Sequence, residues 1–160
     1  MKPTRDYSTA FLVDQTPQEA FAAITNVRGW WSGEIAGATD KLGAEFTYRY
    51  QDFHYSKQRV TEFVPDARVV WLVVDSRLNF IDVKNEWTGT RIMFEIEKRG
   101  DQTQVRFTHV GLLPEHECYR DCSNAWGSLI RGSLRKLIAS GHEQSLVLAA
   151  PGSSSEDTNP

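Results

Sequence analysis

Apolar and polar residues alternate with a period of two through much of this chain, the pattern of strands with one buried face. Residues 7–13 set Tyr7, Thr9, Phe11 and Val13 against Ser8, Ala10 and Leu12, a strand with both faces partly buried. Residues 44–50 set Phe46, Tyr48 and Tyr50 against Glu45, Thr47 and Arg49. The segment 54–63 is longer and more polar, ends at the turn Pro65-Asp66, and leads into a strand over 68–75. Residues 90–98 set Ile92, Phe94 and Ile96 against Arg91, Met93, Glu95 and Glu97; residues 103–110 set Val105, Phe107 and His109 against Gln104, Arg106 and Thr108. Arg99-Gly100-Asp101 joins these last two as a tight hairpin. The stretch 79–87 has no clear period and reads as a short strand and a loop. Alternating strands joined by short turns predict an antiparallel sheet.

Two segments follow the helical period instead. Thr16 is a good N-cap, Pro17 suits the first helical position, and Glu19 lies three residues on from the cap. The helix over 17–26 puts Ala20, Phe21 and Ile24 on one face, and Arg28-Gly29-Trp30-Trp31 reads as a second short turn of helix. The other segment is a long helix with Pro114 in its first turn and Gly141 as its stop, roughly 39 Å from end to end. Cys118, Cys122, Ala125, Trp126, Leu129, Ile130, Leu134, Leu137 and Ile138 recur in steps of three and four, which makes one apolar stripe.

Composition narrows the function classes. The 160 residues amount to one domain, placed at 1–143, with a tail over 144–160 expected to be disordered from about 151, where no large apolar side chain occurs. A net charge of −3, two units of it from Glu156 and Asp157, argues against nucleic acid as a partner. The longest strongly apolar run, residues 69–74, is too short to insert in a membrane. The N-terminal residues lead into no apolar signal core. Together with the presence of only two cysteines, Cys118 and Cys122, this predicts a cytoplasmic location and a reducing compartment. Five tryptophans in a chain otherwise without bias are the compositional signal to explain.

The order of elements is strand, helix pair, about six antiparallel strands and a long C-terminal helix. With Asp14-Gln15-Thr16-Pro17-Gln18-Glu19-Ala20-Phe21, Trp30-Trp31, Asn85-Glu86-Trp87-Thr88-Gly89-Thr90, Thr108-His109-Val110-Gly111-Leu112 and the helix 118–127, the chain resembles the helix-grip fold of the START/Bet v 1-like (SRPBCC) superfamily. Within that superfamily it is similar to bacterial stand-alone relatives of the C-terminal domain of the activator of Hsp90 ATPase. The resemblance covers roughly residues 6–140. It implies an α+β fold in which a curved antiparallel sheet of six or seven strands wraps a long C-terminal helix. It also implies a cavity between the two that binds a small hydrophobic or aromatic ligand, as in a carrier, sensor or stress protein. Relatives leave two alternatives open: a polyketide cyclase-like or hydrolase-like enzyme using the same cavity, and a co-chaperone type of interaction module.

Alternation and the helix stripe name the residues that would line the gap: Trp31, Tyr48, Tyr50, Trp71, Phe94, Phe107, His109, Cys122, Trp126 and Ile130. For any one of them ordinary core is the simpler reading; for the set as a whole the resemblance implies a ligand cavity. His109, in phase with Val105 and Phe107, points inward; it is either a ligand partner and proton carrier or a histidine held by a nearby hydroxyl or backbone group. An enzyme would need His109 with a tyrosine such as Tyr48. Cys118 and Cys122 share a helix face, and with His116 and His109 they suggest zinc, but a second cysteine pair is missing and plain packing is the simpler reading. A disulfide between them is not expected, because a helix holds the two side chains nearly parallel. Gly127 and Gly132 inside the helix predict close packing on Trp30-Trp31 or a strand, or close approach of a ligand. One of Trp30 and Trp31 gates the mouth or both plug the core, and Trp87 is a mouth residue or a loop anchor. Glu95 and Glu97 face solvent, Asp75 shares the phase of Trp71 and Val73, and Glu86 is the remaining acid. There is no nucleophile elbow, zinc-protease motif, phosphate loop or dinucleotide fingerprint. No cofactor, no metal and no catalytic residue is therefore assigned, the balance lies toward binding rather than turnover, and the expected state is monomer or homodimer.

Overall fold

The computed structural model describes residues 6–31 and 33–140. Seven antiparallel strands form one sheet: β1 (Tyr7–Val13), β2 (Glu34–Gly37), β3 (Glu45–Tyr50), β4 (His54–Val64), β5 (Arg68–Leu78), β6 (Arg91–Arg99) and β7 (Gln102–Val110). The order across the sheet is β1-β7-β6-β5-β4-β3-β2, so only β1 departs from sequence neighbours by pairing with the last strand. Between β1 and β2 come α1 (Pro17–Thr25) and a 3-10 turn at Val27–Gly29. The helix-grip reading of the sequence describes this architecture.

Local chemistry explains α1. The Thr16 hydroxyl accepts from the Glu19 amide at 3.1 Å and the Glu19 carboxylate accepts from the Thr16 amide at 2.9 Å, a capping box with Pro17 at the first turn. The hairpin at Arg99-Gly100-Asp101 also forms as read, with Gly100 at a positive φ of 62°.

The C-terminal helix is shorter than the sequence suggests. It starts at Tyr119 rather than near Pro114 and runs as α2 (Tyr119–Gly127), a π-wound stretch (Ser128–Leu134) and α3 (Arg135–Ser140). Its start is fixed from outside. The Glu86 carboxylate accepts from the amides of Glu117 at 2.9 Å and Cys118 at 3.0 Å, so these donors are satisfied by a distant loop and not by a preceding helical turn. Gly141, read as the helix stop, and the tail over 144–160 lie outside the described residues. Gly132 does not pack closely, since a Cβ there would meet nothing within 4 Å, whereas at Gly127 it would come 3.3 Å from the Tyr7 hydroxyl.

Two bulges adjust the β4–β5 pair. Lys57 faces Asp75 while Gln58 faces Val73, so Val74 is the extra residue; Val60 faces Trp71 while Glu62 faces Val70, so Thr61 is extra on the other strand. The first bulge flips the parity of β5. Trp71 and Val73 are buried, Asp75 is exposed, and Ser76 and Leu78 take the inward positions. Asp75 therefore does not share the inward phase that simple alternation gave it. The stretch 79–87, read partly as a strand, is turns throughout. Strand β2, unmarked by any apolar alternation, forms by pairing Glu34–Gly37 with residues 46–49 of β3.

Candidate functional site

The buried face of the sheet and the C-terminal helix meet in a layer of aromatic rings. Trp71 on β5, Phe94 on β6 and Phe107 on β7 point up from neighbouring strands and are fully buried. Trp126 on α2 descends onto Phe107 with ring centres 4.6 Å apart. Trp31 comes in from the side after the 3-10 turn and touches Tyr48 at 3.9 Å, Trp126 at 5.2 Å and Trp71 at 6.0 Å. Its plane is within 5° of that of Trp71 and 13° of that of Tyr48. Trp30 lies 6.1 Å from Trp31 and 6.4 Å from Trp71, within 9° of both planes, and donates its indole N–H to the Ile24 carbonyl at 3.2 Å. Both Trp30 and Trp31 are buried, so neither stands at the surface. Gly33, at φ 135°, passes so close to the Tyr48 ring and the Arg49 carbonyl that a Cβ would clash with both.

Trp87 completes the layer from the loop between β5 and β6. It is 3% exposed, stacks on Trp126 at 5.6 Å, and meets His54 and His109 edge-on at 4.6 and 4.7 Å. Two reciprocal carboxylate contacts latch that loop to the segment before α2. Glu86 receives the amides of Glu117 and Cys118, and Glu117 receives the amides of Asp82 at 2.9 Å and Val83 at 3.3 Å. Glu86, weighed as an acid, is engaged in this way.

His109 is fully enclosed, with both nitrogens engaged. The Trp126 indole can only donate, so Nδ1 of His109 accepts its N–H, at 3.0 Å. A neutral ring accepting at Nδ1 carries its proton on Nε2, which meets the Thr90 hydroxyl at 2.8 Å; Thr90 in turn donates to the Trp87 carbonyl at 2.6 Å. This chain ties β7, α2 and the Trp87 loop together. Burial pushes the His109 imidazole down to about 3, with His54 and His116 adding to the effect. The same cause pushes His54 down to about 3 and the Tyr48 phenol up.

Sequence reading missed the polar members of the site, because they lie in the strand that looked most polar. His54, Ser56 and Gln58 on β4 turn toward the interior. His54 Nε2 lies 2.9 Å from the Ser56 hydroxyl, which also accepts from the Gln58 amide at 2.5 Å. Ser76, brought inward by the bulge, contacts Thr88 at 2.8 Å. His54 and Ser76 also line a polar depression of about 390 Å³ walled by Arg49, Tyr55, Asp75 and Arg77, so His54 stands between solvent and the ring layer.

The remaining candidates divide. Ile130 is buried in the π-wound stretch. Tyr50 is only half buried at the end of β3, with its ring 6.5 Å from Phe53, and lies outside the layer. Cys122 is buried but is not a free thiol: it forms a disulfide with Cys118, contrary to the sequence reading. The pair can close because Cys118 is the residue before the helix and its Cα lies 5.5 Å from that of Cys122, within disulfide range. His116, considered as a zinc partner, accepts the Leu113 amide at 3.1 Å. Among the described residues no group of three or more His, Cys, Asp or Glu is placed to hold a metal ion. No helix among them is long and apolar enough to cross a membrane.

Comparison with known proteins agrees with this architecture. Residues 14–139 match the family described as activator of Hsp90 ATPase homolog 1-like protein. The solution structure of the Aha1 dimer from Colwellia psychrerythraea superposes with a TM-score of 0.69 at 23% identity, over 86% of this chain and 98% of that one. Protein MLL2253 from Mesorhizobium loti gives 0.64 at 14% identity, over 82% and 96%. CalU16 from Micromonospora echinospora gives 0.58 at 14% identity, over 83% and 74%. At these identities the likeness shows the fold. No curated protein matches the chain.

Proposed function

The chain belongs to the activator of Hsp90 ATPase homolog 1-like family, and within that family we propose that it binds a small hydrophobic or aromatic ligand between the sheet and the C-terminal helix. The observation that carries this reading is the ring layer itself. All five tryptophans of the chain are buried there, and they come from two loops, a strand and a helix that converge between the sheet and the C-terminal helix. Several of the faces are nearly parallel, as a flat guest requires. Apolar burial of about 25 cal/mol per Å² would drive entry, and a few polar groups would set orientation. His54, shared by the layer and the polar depression, marks the route between solvent and the interior. The loop carrying Trp87 walls the layer and is tied both to the segment before α2, by the Glu86 and Glu117 carboxylates, and to β5, by the Gly89 amide on the Val73 carbonyl and the Leu78 amide on the Lys84 carbonyl.

The geometry favours binding over turnover. Nδ1 of His109 is taken up by the Trp126 indole, Nε2 faces the Thr90 hydroxyl, and burial holds the imidazole neutral and weakly basic, which suits it poorly to carry protons near pH 7. The test is extraction of the purified protein with organic solvent and mass spectrometry of the extract, followed by soaking with naphthalene. A stoichiometric apolar guest, native or soaked, is expected. Repeated recovery of protein that holds none and takes up none would contradict the proposal.

A further inference from the structure

The bulge at Val74 re-aims more than Ser76. With the extra residue, Asp75 and Arg77 of β5 leave the inward phase of Trp71 and Val73 and take the outer face of the sheet, away from the ring layer. There Arg77 stands opposite Tyr55 of β4, and Tyr55 stands opposite Arg49 of β3. One row therefore runs Arg49, Tyr55, Arg77 across three strands, with the two arginine backbones about 10 Å apart. The row lines the depression of about 390 Å³, together with Asp52, Asp75 and Asn79. That volume suits a small molecule.

The charges around this row do not neutralise one another. On the same strands, Arg59 is held by Glu45 at 2.8 Å, and Arg68 by Glu62 at 2.7 Å and Glu95 at 3.2 Å. Among the described residues no ion pair engages Arg49 or Arg77, although Glu34 faces Arg49 from β2 and Asp75 is two residues from Arg77. Arg49 instead lies over the Tyr55 ring, 5.1 Å from its centre, which holds the guanidinium above the row. Asp52 and Asp75 make no ion pair among the described residues either. Asp75 accepts the Ser76 amide at 3.0 Å and faces Lys57, and Asp52 meets Asn79 through its backbone carbonyl, at 2.7 Å. Asp75 lies to one side of the row along the strands, and Asp52, in the turn between β3 and β4, to the other. A pure anion would be repelled by the two carboxylates and a pure cation by the two guanidiniums.

We infer that this depression binds a small zwitterion, with Arg49 and Arg77 holding its oxyanion and Asp52 or Asp75 meeting its ammonium group. Arginine forks match paired oxygens of a carboxylate or phosphate, and the Tyr55 ring between them floors the site. The site is separate from the ring layer and does not depend on what that layer holds.

The experiment is calorimetric titration of the full chain at pH 7 and low salt with O-phosphoethanolamine, 4-aminobutyrate, inorganic phosphate and ethanolamine. At least one of the two zwitterions is expected to bind one-to-one, about tenfold tighter than phosphate or ethanolamine. Arg49 and Arg77 are exposed, so their replacement tests binding and not folding. Arg49→Gln and Arg77→Gln should each weaken zwitterion binding about tenfold, whereas Arg59→Gln, outside the depression, should leave it unchanged. Asp52→Asn combined with Asp75→Asn should erase the preference for the zwitterion over phosphate. Zwitterions that bind no tighter than phosphate overturn the inference. Binding that survives both arginine substitutions overturns it too, since the site then lies elsewhere. Failure of both zwitterions to bind has the same consequence.

Discussion

The indole N–H of Trp126 donates to Nδ1 of His109 at 3.0 Å, and this one bond joins the C-terminal helix to the last strand of the sheet. It fixes the tautomer of the imidazole and hence the direction of the chain through Thr90 to Trp87. His109 thus links β7, α2 and the Trp87 loop through one continuous set of hydrogen bonds.

Trp126→Phe removes the donor and leaves Nδ1 buried and unmatched, besides shrinking the ring. A loss of about 2–4 kcal/mol in unfolding free energy is expected, read by urea denaturation. In the unaltered protein, long-range proton–nitrogen spectra should show His109 with its proton on Nε2. A proton on Nδ1 would show that the bond does not form.

Stability should fall on mild acidification. Both His54 and His109 are pushed down to about 3 in the folded chain by burial, while an unfolded histidine titrates near 6.5. The unfolded state therefore binds more protons below pH 6.5, so the contribution is complete above that value and is lost as pH falls toward 3. Between pH 6.5 and 5.5 the fully enclosed His109 should cost about 1 kcal/mol, with His54, half-buried beside the polar depression, adding less. Urea midpoints at those two pH values measure this, and a flat profile would mean that the imidazoles are hydrated in the folded state.

The Glu86 carboxylate holds the amides of Glu117 and Cys118. Glu86→Ala should expose both, speed their hydrogen exchange at least tenfold, and cost about 1–2 kcal/mol. Exchange in residues 79–90 should quicken with it, because the same latch fixes the loop of Trp87. Unchanged protection at 117 and 118 would show that the helix start is held by something else.

Much of the fold was legible because its signals are local. Thr16 and Glu19 write a capping box within four residues, and β6 and β7 alternate without interruption, which placed Phe94, Phe107 and His109 inward. Trp126 followed from the helix stripe. What escaped depends on distant partners. The extra residue Val74 reverses the parity of β5, so Asp75 leaves the interior and Ser76 enters it. Strand β2 owes its existence to β3. The start of α2 depends on Glu86, 31 residues before the amide of Glu117 that it receives. The disulfide of Cys118 with Cys122 was hidden because it needs the two Cα atoms drawn to 5.5 Å at the helix entry, which residue spacing alone does not show. Gln58, Ser56 and His54 stayed hidden for a related reason: inward polar residues resemble the outer face of a strand until the packing that encloses them is known.

The most direct test of the ring layer as a binding site is a proton–nitrogen titration that follows the five indole N–H signals. With naphthalene added, the signals of Trp31, Trp71, Trp87 and Trp126 should shift saturably to a one-to-one endpoint. Indole signals that stay in place at saturating probe would contradict the account.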